Sequence, residues 1–147
     1  MIVLYAVAGA LLMNRWALTA ASEASFSRTV SAMDAAGQPY SAASGLVFAG
    51  LGVVLAGGWC AMVLRARTAL PAWAAVVSWA AILVCGAPAY FFTSFANMNA
   101  VGDTFVDWNA DAAFRVEVPL YVTSGLALIV GLVTVLAVSA RTVQRTR

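Results

Sequence analysis

Apolar residues fill four long stretches of this chain, at about 2–20, 44–64, 72–95 and 118–140, and polar residues gather between them. A helix needs roughly 20 mostly apolar residues to cross the hydrocarbon layer of a bilayer. Each stretch meets that length, so the pattern predicts four membrane-spanning helices. The connection Arg65–Pro71 is only a short turn, which makes the second and third helices antiparallel neighbours. The expected fold class is an all-α integral membrane protein. It is an antiparallel bundle of four transmembrane helices, a single domain over 1–147, with short outer helices in the two longer connections.

Charge sharpens this picture because it is sorted by sign. Arg65, Arg67, Arg141, Arg145 and Arg147 flank the short turn and the C-terminal tail, with no acid among them. All the acids, Glu23, Asp34, Asp103, Asp107, Asp111 and Glu117, lie in or beside the other two connections. Arginine-rich connections stay on the cytoplasmic side. Both termini are therefore expected in the cytoplasm, and Ala21–Ala43 and Ala96–Glu117 face outward from an inner (plasma) membrane. The chain is 63% hydrophobic and 10% charged, against roughly 25% charged in soluble domains. Its net charge of +2 gives no case for nucleic acid. An all-Arg basic set with abundant Ala is what a GC-rich bacterial genome would give. The first stretch lacks a basic leader and is interrupted by Arg15, so it reads as a span and not as a cleaved signal. Arg15 then lies near the outer end of its helix, snorkelling toward headgroups beside Trp16 or pairing with an outer acid.

Small residues suggest how the helices pack. Gly45 with Ala49, Gly57 with Ala61, and Ala127 with Gly131 are spaced by four, which lets helix backbones approach closely. These faces serve packing within the bundle or contact with another subunit. Pro88 follows Gly86 in the third stretch and is expected to kink it. Pro119 is expected to open the fourth helix, where its missing N–H costs nothing. Cys60 and Cys85 differ in depth, which argues against a disulfide and for small packing residues in a helix interface. Trp79 is expected in packing.

The connections hold most of the remaining polar groups. In the first, Phe26, Val30 and Met33 share a helical face, Ser22 and Ser25 are placed to cap it, and Gly37-Gln38-Pro39 breaks it. In the second, Asp103, Asp107, Asp111 and Arg115 are spaced by four. On one helix they form a polar stripe with Phe105 and Trp108 on the other side. Arg15 and Arg28 are the natural partners for that stripe. Asp107-Trp108-Asn109-Ala110-Asp111 also opens like a calcium loop, but Ala112 and Val118 stand where Gly and Glu are needed. No His is present, which removes His-ligated metals and Ser–His–Asp catalysis. No glycine-rich phosphate loop appears, and no acid falls in the middle of a stretch. No metal or cofactor is expected.

The layout resembles the anthrone-oxygenase-like family of small four-helix membrane proteins. Phe26, Val30 and Asp34 stand at spacing comparable to that family's Phe–Met–Asn pattern. Asn97-Met98-Asn99 resembles its Asn-x-Pro-x-Asn motif without the proline. Trp108-Asn109 and Arg115 resemble its Trp-Asn…Arg cluster at longer spacing. The resemblance implies a metal-free oxygenase acting on an aromatic polyketide. The residues themselves favour a different expectation: a non-catalytic accessory or structural subunit of a larger membrane complex. Other membrane subunits and the bilayer would be its partners. Arg15, Arg28, Asp103, Asp107, Trp108, Asp111 and Arg115 form the expected partner or ligand surface, and Gly45, Gly57, Gly131 and Pro88 shape the helix contacts.

Overall fold

The computed structural model describes residues 1–65 and 70–145, and every element in it is helical. Helix α1 runs Ile2–Ser22 and is interrupted by a π-helical segment at Leu12–Trp16. The others are α2 (Phe26–Ala35), α3 (Ala43–Arg65), α4 (Ala72–Thr104) and α5 (Ala110–Arg145). Four of them, α1, α3, α4 and α5, are long and apolar enough to cross a membrane. Arg67 and Arg147, and most of the expected Arg65–Pro71 turn, lie outside the described residues.

Burial is uneven in a way that suits a lipid setting. In α1, 44% of the apolar window is buried inside the protein, whereas in α3 only 6% is. Leu46, Val47, Leu51, Val53 and Val54 of α3 are all exposed, and so are Leu128, Ile129, Leu132 and Val133 of α5. Apolar patches of that extent on a surface mark a membrane or a partner.

Helix α1 forms the centre. On one side it meets α3 so closely that side chains are excluded. A Cβ at Gly45 would strike the Asn14 amide, one at Gly52 would strike Ala6, and one at Gly9 would strike Phe48. On the other side Tyr5 reaches α5, where its hydroxyl lies 2.9 Å from Ser124 Oγ. Helices α4 and α5 pack along their length. Ser124 Oγ donates to the Leu83 carbonyl, Tyr90 meets Glu117, and a Cβ at Gly131 would come 3.4 Å from Ala80. The apolar core gathers Tyr5, Leu12, Met13, Phe48, Leu83 and Tyr90, with Trp79 packed against it.

Helix α2 lies across one end. Its Met33 and Thr29 are fully buried, Met33 among Leu18, Ala21, Val101 and Ala113. Ser25 stands at the N-cap with extended backbone, but its side chain makes no capping bond; the Ser22 hydroxyl instead lies 2.7 Å from that of Thr29. The helix stops where expected. Gly37 takes φ +72°, and the Gln38 N–H bonds back to the Met33 carbonyl, so orphan carbonyls of the last turn are satisfied.

Three expectations are corrected. Asp103–Arg115 is not one helix: α4 continues to Thr104, Phe105–Asn109 is a break, and α5 starts at Ala110. The cause is Asn109, whose Oδ1 accepts the Ala112 N–H as a helix cap while its own N–H bonds to the Ala21 carbonyl of α1. Asp103, Asp107 and Asp111 thus fall on three different elements and form no stripe. Pro119 does not open the fourth helix but stands well inside it. Cys60 and Cys85 are free thiols on exposed positions and not interface packing residues. Pro88 stands inside α4 at an exposed position.

Candidate functional site

Two polar clusters sit inside this mostly apolar molecule. The first surrounds the π-helical segment of α1. A π turn leaves backbone carbonyls without their usual helical partners, and such turns are frequent at functional sites. Asn97 of α4 reaches into this segment. It is buried, and its Nδ2 donates to the Ser41 carbonyl at 2.8 Å and the Met13 carbonyl at 3.4 Å. Its Oδ1 accepts the Ser41 N–H at 3.2 Å. Around it, Tyr40 donates to the Asn14 carbonyl at 3.1 Å, and Asn14 Nδ2 donates to the Ala42 carbonyl at 3.0 Å. Burial pushes the Tyr40 hydroxyl above its ordinary pKa, so it stays a donor through neutral pH. Asn14 Oδ1 is buried without a partner. This cluster pins the 36–42 connection to α1 and α4.

The second cluster lies deeper. Tyr90 is fully buried and donates to Glu117 Oε1 at 2.7 Å. Glu117 is 9% exposed. Tyr121 stands one turn beyond it and Phe114 one turn before it, their rings 6.1 Å apart; Tyr121 also meets Tyr90 edge-on at 6.0 Å. Phe48 of α3 lies between Tyr5 and Tyr90, with ring centroids 6.3 and 6.1 Å away. Rings from four helices are thus linked one to the next, and one of them, Tyr90, holds the carboxyl group. The sequence pattern missed this acid because it borders the apolar run. What brings it inside is the helical spacing of Phe114, Glu117, Tyr121 and Ser124, a signal readable once α5 starts at Ala110.

Beside these clusters an apolar groove of about 330 Å³ opens between α1, α3 and α4, lined by Tyr5, Phe48, Leu55, Ile82, Cys85 and Gly86 among others. A shallower cleft of about 360 Å³ lies between Ser22-Glu23 and Thr104–Asp107.

The expected surface residues are dispersed. Arg15 is exposed on the π segment, its guanidinium 5.9 Å from the centre of the Phe26 ring. Arg28 and Arg115 are exposed, and among the described residues the expected pairs of Arg15 and Arg28 with the Asp residues do not form. Asp103 accepts a long bond from Gln38 Nε2 at 3.4 Å, and Asp107 lines the shallow cleft. Trp108 covers Gly102, where a Cβ would come 3.3 Å from the indole. Asn109 donates to Glu23 Oε1 at 2.6 Å and so ties the start of α5 to the end of α1. No group of His, Cys, Asp or Glu among the described residues is arranged to hold a metal ion. Around Gly57, as around Gly50 and Gly58, a Cβ would meet nothing within 4 Å.

Fold and composition define an all-helical protein with four helices of membrane-spanning length and apolarity. No family model, no curated protein and no solved structure matches the chain.

Proposed function

We propose that this chain is an accessory subunit of a bacterial plasma-membrane complex, which it joins through the outer surface of α3. The carrying observation is the glycine face that its own bundle leaves unused. Gly50, Val54, Gly57, Gly58 and Ala61 share one side of α3 by helical spacing. The three glycines have open space where a Cβ would stand. By contrast Gly45 and Gly52, on the opposite side, are filled by α1. In lipid, helices associate through close backbone approach at small residues. A helix that offers such a face on both sides is suited to hold two neighbours, one within the chain and one outside it.

The topology in this reading is an antiparallel four-helix bundle. Its support is the order of contacts: Ala6, Gly9 and Asn14 meet Gly52, Phe48 and Gly45, and Ala80, Leu83 and Tyr90 meet Gly131, Ser124 and Glu117. The sorting of arginine sets both termini in the cytoplasm, with α2 and the 105–109 break outside. The test is crosslinking and co-purification from native membranes. Wild-type protein should carry a stoichiometric partner chain, and Gly57→Leu with Gly58→Leu should release it without loss of inserted protein. A monodisperse monomer from native membranes, with no crosslinked partner, would overturn the proposal.

A second reading, a binder of hydrophobic ligands of the kind the family resemblance implies, draws its support from the apolar groove beside Tyr5. Mass spectrometry of gently extracted protein decides it: a retained hydrocarbon ligand that Gly86→Leu displaces would favour it, and ligand-free protein would not.

A further inference from the structure

We propose that Glu117 and the aromatic rings around it form a binding site for an organic cation, an ammonium-type group that approaches α5 from the bilayer. The two oxygens of the carboxyl group differ in their surroundings. Oε1 is taken by the Tyr90 hydroxyl. Oε2 has no hydrogen-bond partner, yet it is not among the buried polar atoms sealed without one. It is therefore reachable from the surface. An ionisable group this nearly buried in protein is costly without a partner of opposite charge.

No such partner is found among the described residues. Among the described cations, Arg15 lies over Phe26. Arg115 is exposed and stands two residues from Glu117, a spacing that turns the two side chains to different sides of the helix. The surrounding groups suggest what is missing. Tyr90 holds one carboxyl oxygen, its ring meets that of Tyr121 edge-on, and Tyr121 in turn packs against Phe114; a cation within about 6 Å of a ring centre is attracted to its face. A carboxylate beside aromatic rings, with no counter-charge among the described residues, favours a positive guest over a neutral or negative one.

Depth narrows the guest further. Tyr90 stands 18 residues beyond Ala72, so at 1.5 Å per residue it lies about 27 Å along α4. In the topology proposed above, that end of α4, toward α2, faces outward. Two sources of the same chemistry reach that level: the amine headgroup of a phospholipid, and a membrane-soluble organic cation. The site is on α5 and does not depend on the glycine face of α3.

The test uses full-length protein in nanodiscs of phosphatidylglycerol, which has no cationic headgroup, with tetraphenylphosphonium as probe and uncharged tetraphenylmethane as its neutral counterpart. Wild-type protein should bind the cation and not the neutral molecule. Glu117→Gln keeps the shape and the acceptor for Tyr90, so it should fold, as circular dichroism would verify, and weaken binding by about tenfold or more. Replacing both Phe114 and Tyr121 by Leu keeps the acid and should weaken binding by about threefold to tenfold. Adding phosphatidylethanolamine identifies the source: competition with the probe assigns the lipid amine, and no competition assigns a soluble cation. Unchanged binding in Glu117→Gln, equal binding of the neutral molecule, or binding of neither the probe nor the amine lipid would overturn the proposal.

Discussion

Replacing Asn97 by Ala removes the one side chain that joins the π segment, the 36–42 connection and α4. Three hydrogen bonds are lost, at 2.8, 3.2 and 3.4 Å. A neutral bond contributes about 1 kcal/mol net, and a buried polar group left without a partner costs roughly 1–3 kcal/mol. Ser41 is exposed and its backbone can turn to water, whereas Met13 is fully buried and its carbonyl has no such recourse. The expected loss is therefore about 2–3 kcal/mol, weighted toward the Met13 side. Asn97→Asp separates hydrogen bonding from size. It keeps the acceptor for the Ser41 N–H but sets a carboxylate against the Ser41 and Met13 carbonyls with no cation beside it. It should be less stable than the Ala variant. Unfolding in mixed micelles titrated with dodecyl sulfate, followed by circular dichroism, measures both. Amide exchange should rise in the Ala variant at Leu12–Trp16 and 38–45 and stay unchanged in the inner half of α4. A loss below about 0.5 kcal/mol, or an Asp variant as stable as wild type, would refute this account of the cluster.

Gly52→Val should destabilise by about 1–3 kcal/mol in the same titration, because its side chain would have to displace Ala6, while Gly50→Ala should be close to neutral. Tyr90→Phe should cost roughly 1–3 kcal/mol, since the buried Glu117 oxygen loses its donor. Cysteines placed at Ser31 and Thr104 should label from outside intact cells, and one at Thr142 only after permeabilisation; the reverse pattern would invert the topology. Changing Asp107, Trp108 and Asp111 together to Ala should leave insertion intact, as judged by membrane-fraction yield, because all three are exposed.

The long apolar runs made the four spans legible, since length and hydropathy act locally. The ends of the third and fourth were less legible because polar residues continue a helix as readily as they end it. Asn97, Asp103 and Thr104 extend α4 past its apolar run, and Asp111, Arg115 and Glu117 precede the apolar run of α5 inside the same helix. A four-residue charge spacing looked like a separate helix, but it bridges the end of one helix and the start of the next. Only the Asn109 cap and its bond to Ala21, 88 positions earlier in the chain, separate the two readings. The glycines of α3 illustrate the same limit. Spacing identified Gly45 and Gly57 equally, and only the tertiary arrangement distinguishes the one that α1 fills from the one left open. Glu117 stayed hidden as a site residue because its chemistry depends on Tyr90, from another helix.

The π segment of α1 sets the phase of the molecule's central helix. A π turn holds an extra residue, and each residue of an α-helix advances by about 100°. The residues before it, Tyr5, Ala6 and Gly9, thereby face α3 and the deep aromatic cluster, while Ala17, Leu18 and Ala21 beyond it face the layer under α2. One straight α-helix would not present both sets at these angles. Deleting a single residue between Leu12 and Trp16 would let the helix run straight and swing its first eleven residues around by about 100°. Tyr5 would then leave Ser124 although no contacting side chain had been altered. In this chain the angular offset between the two halves of α1 is itself encoded information, carried by a residue count and not by any residue's chemistry.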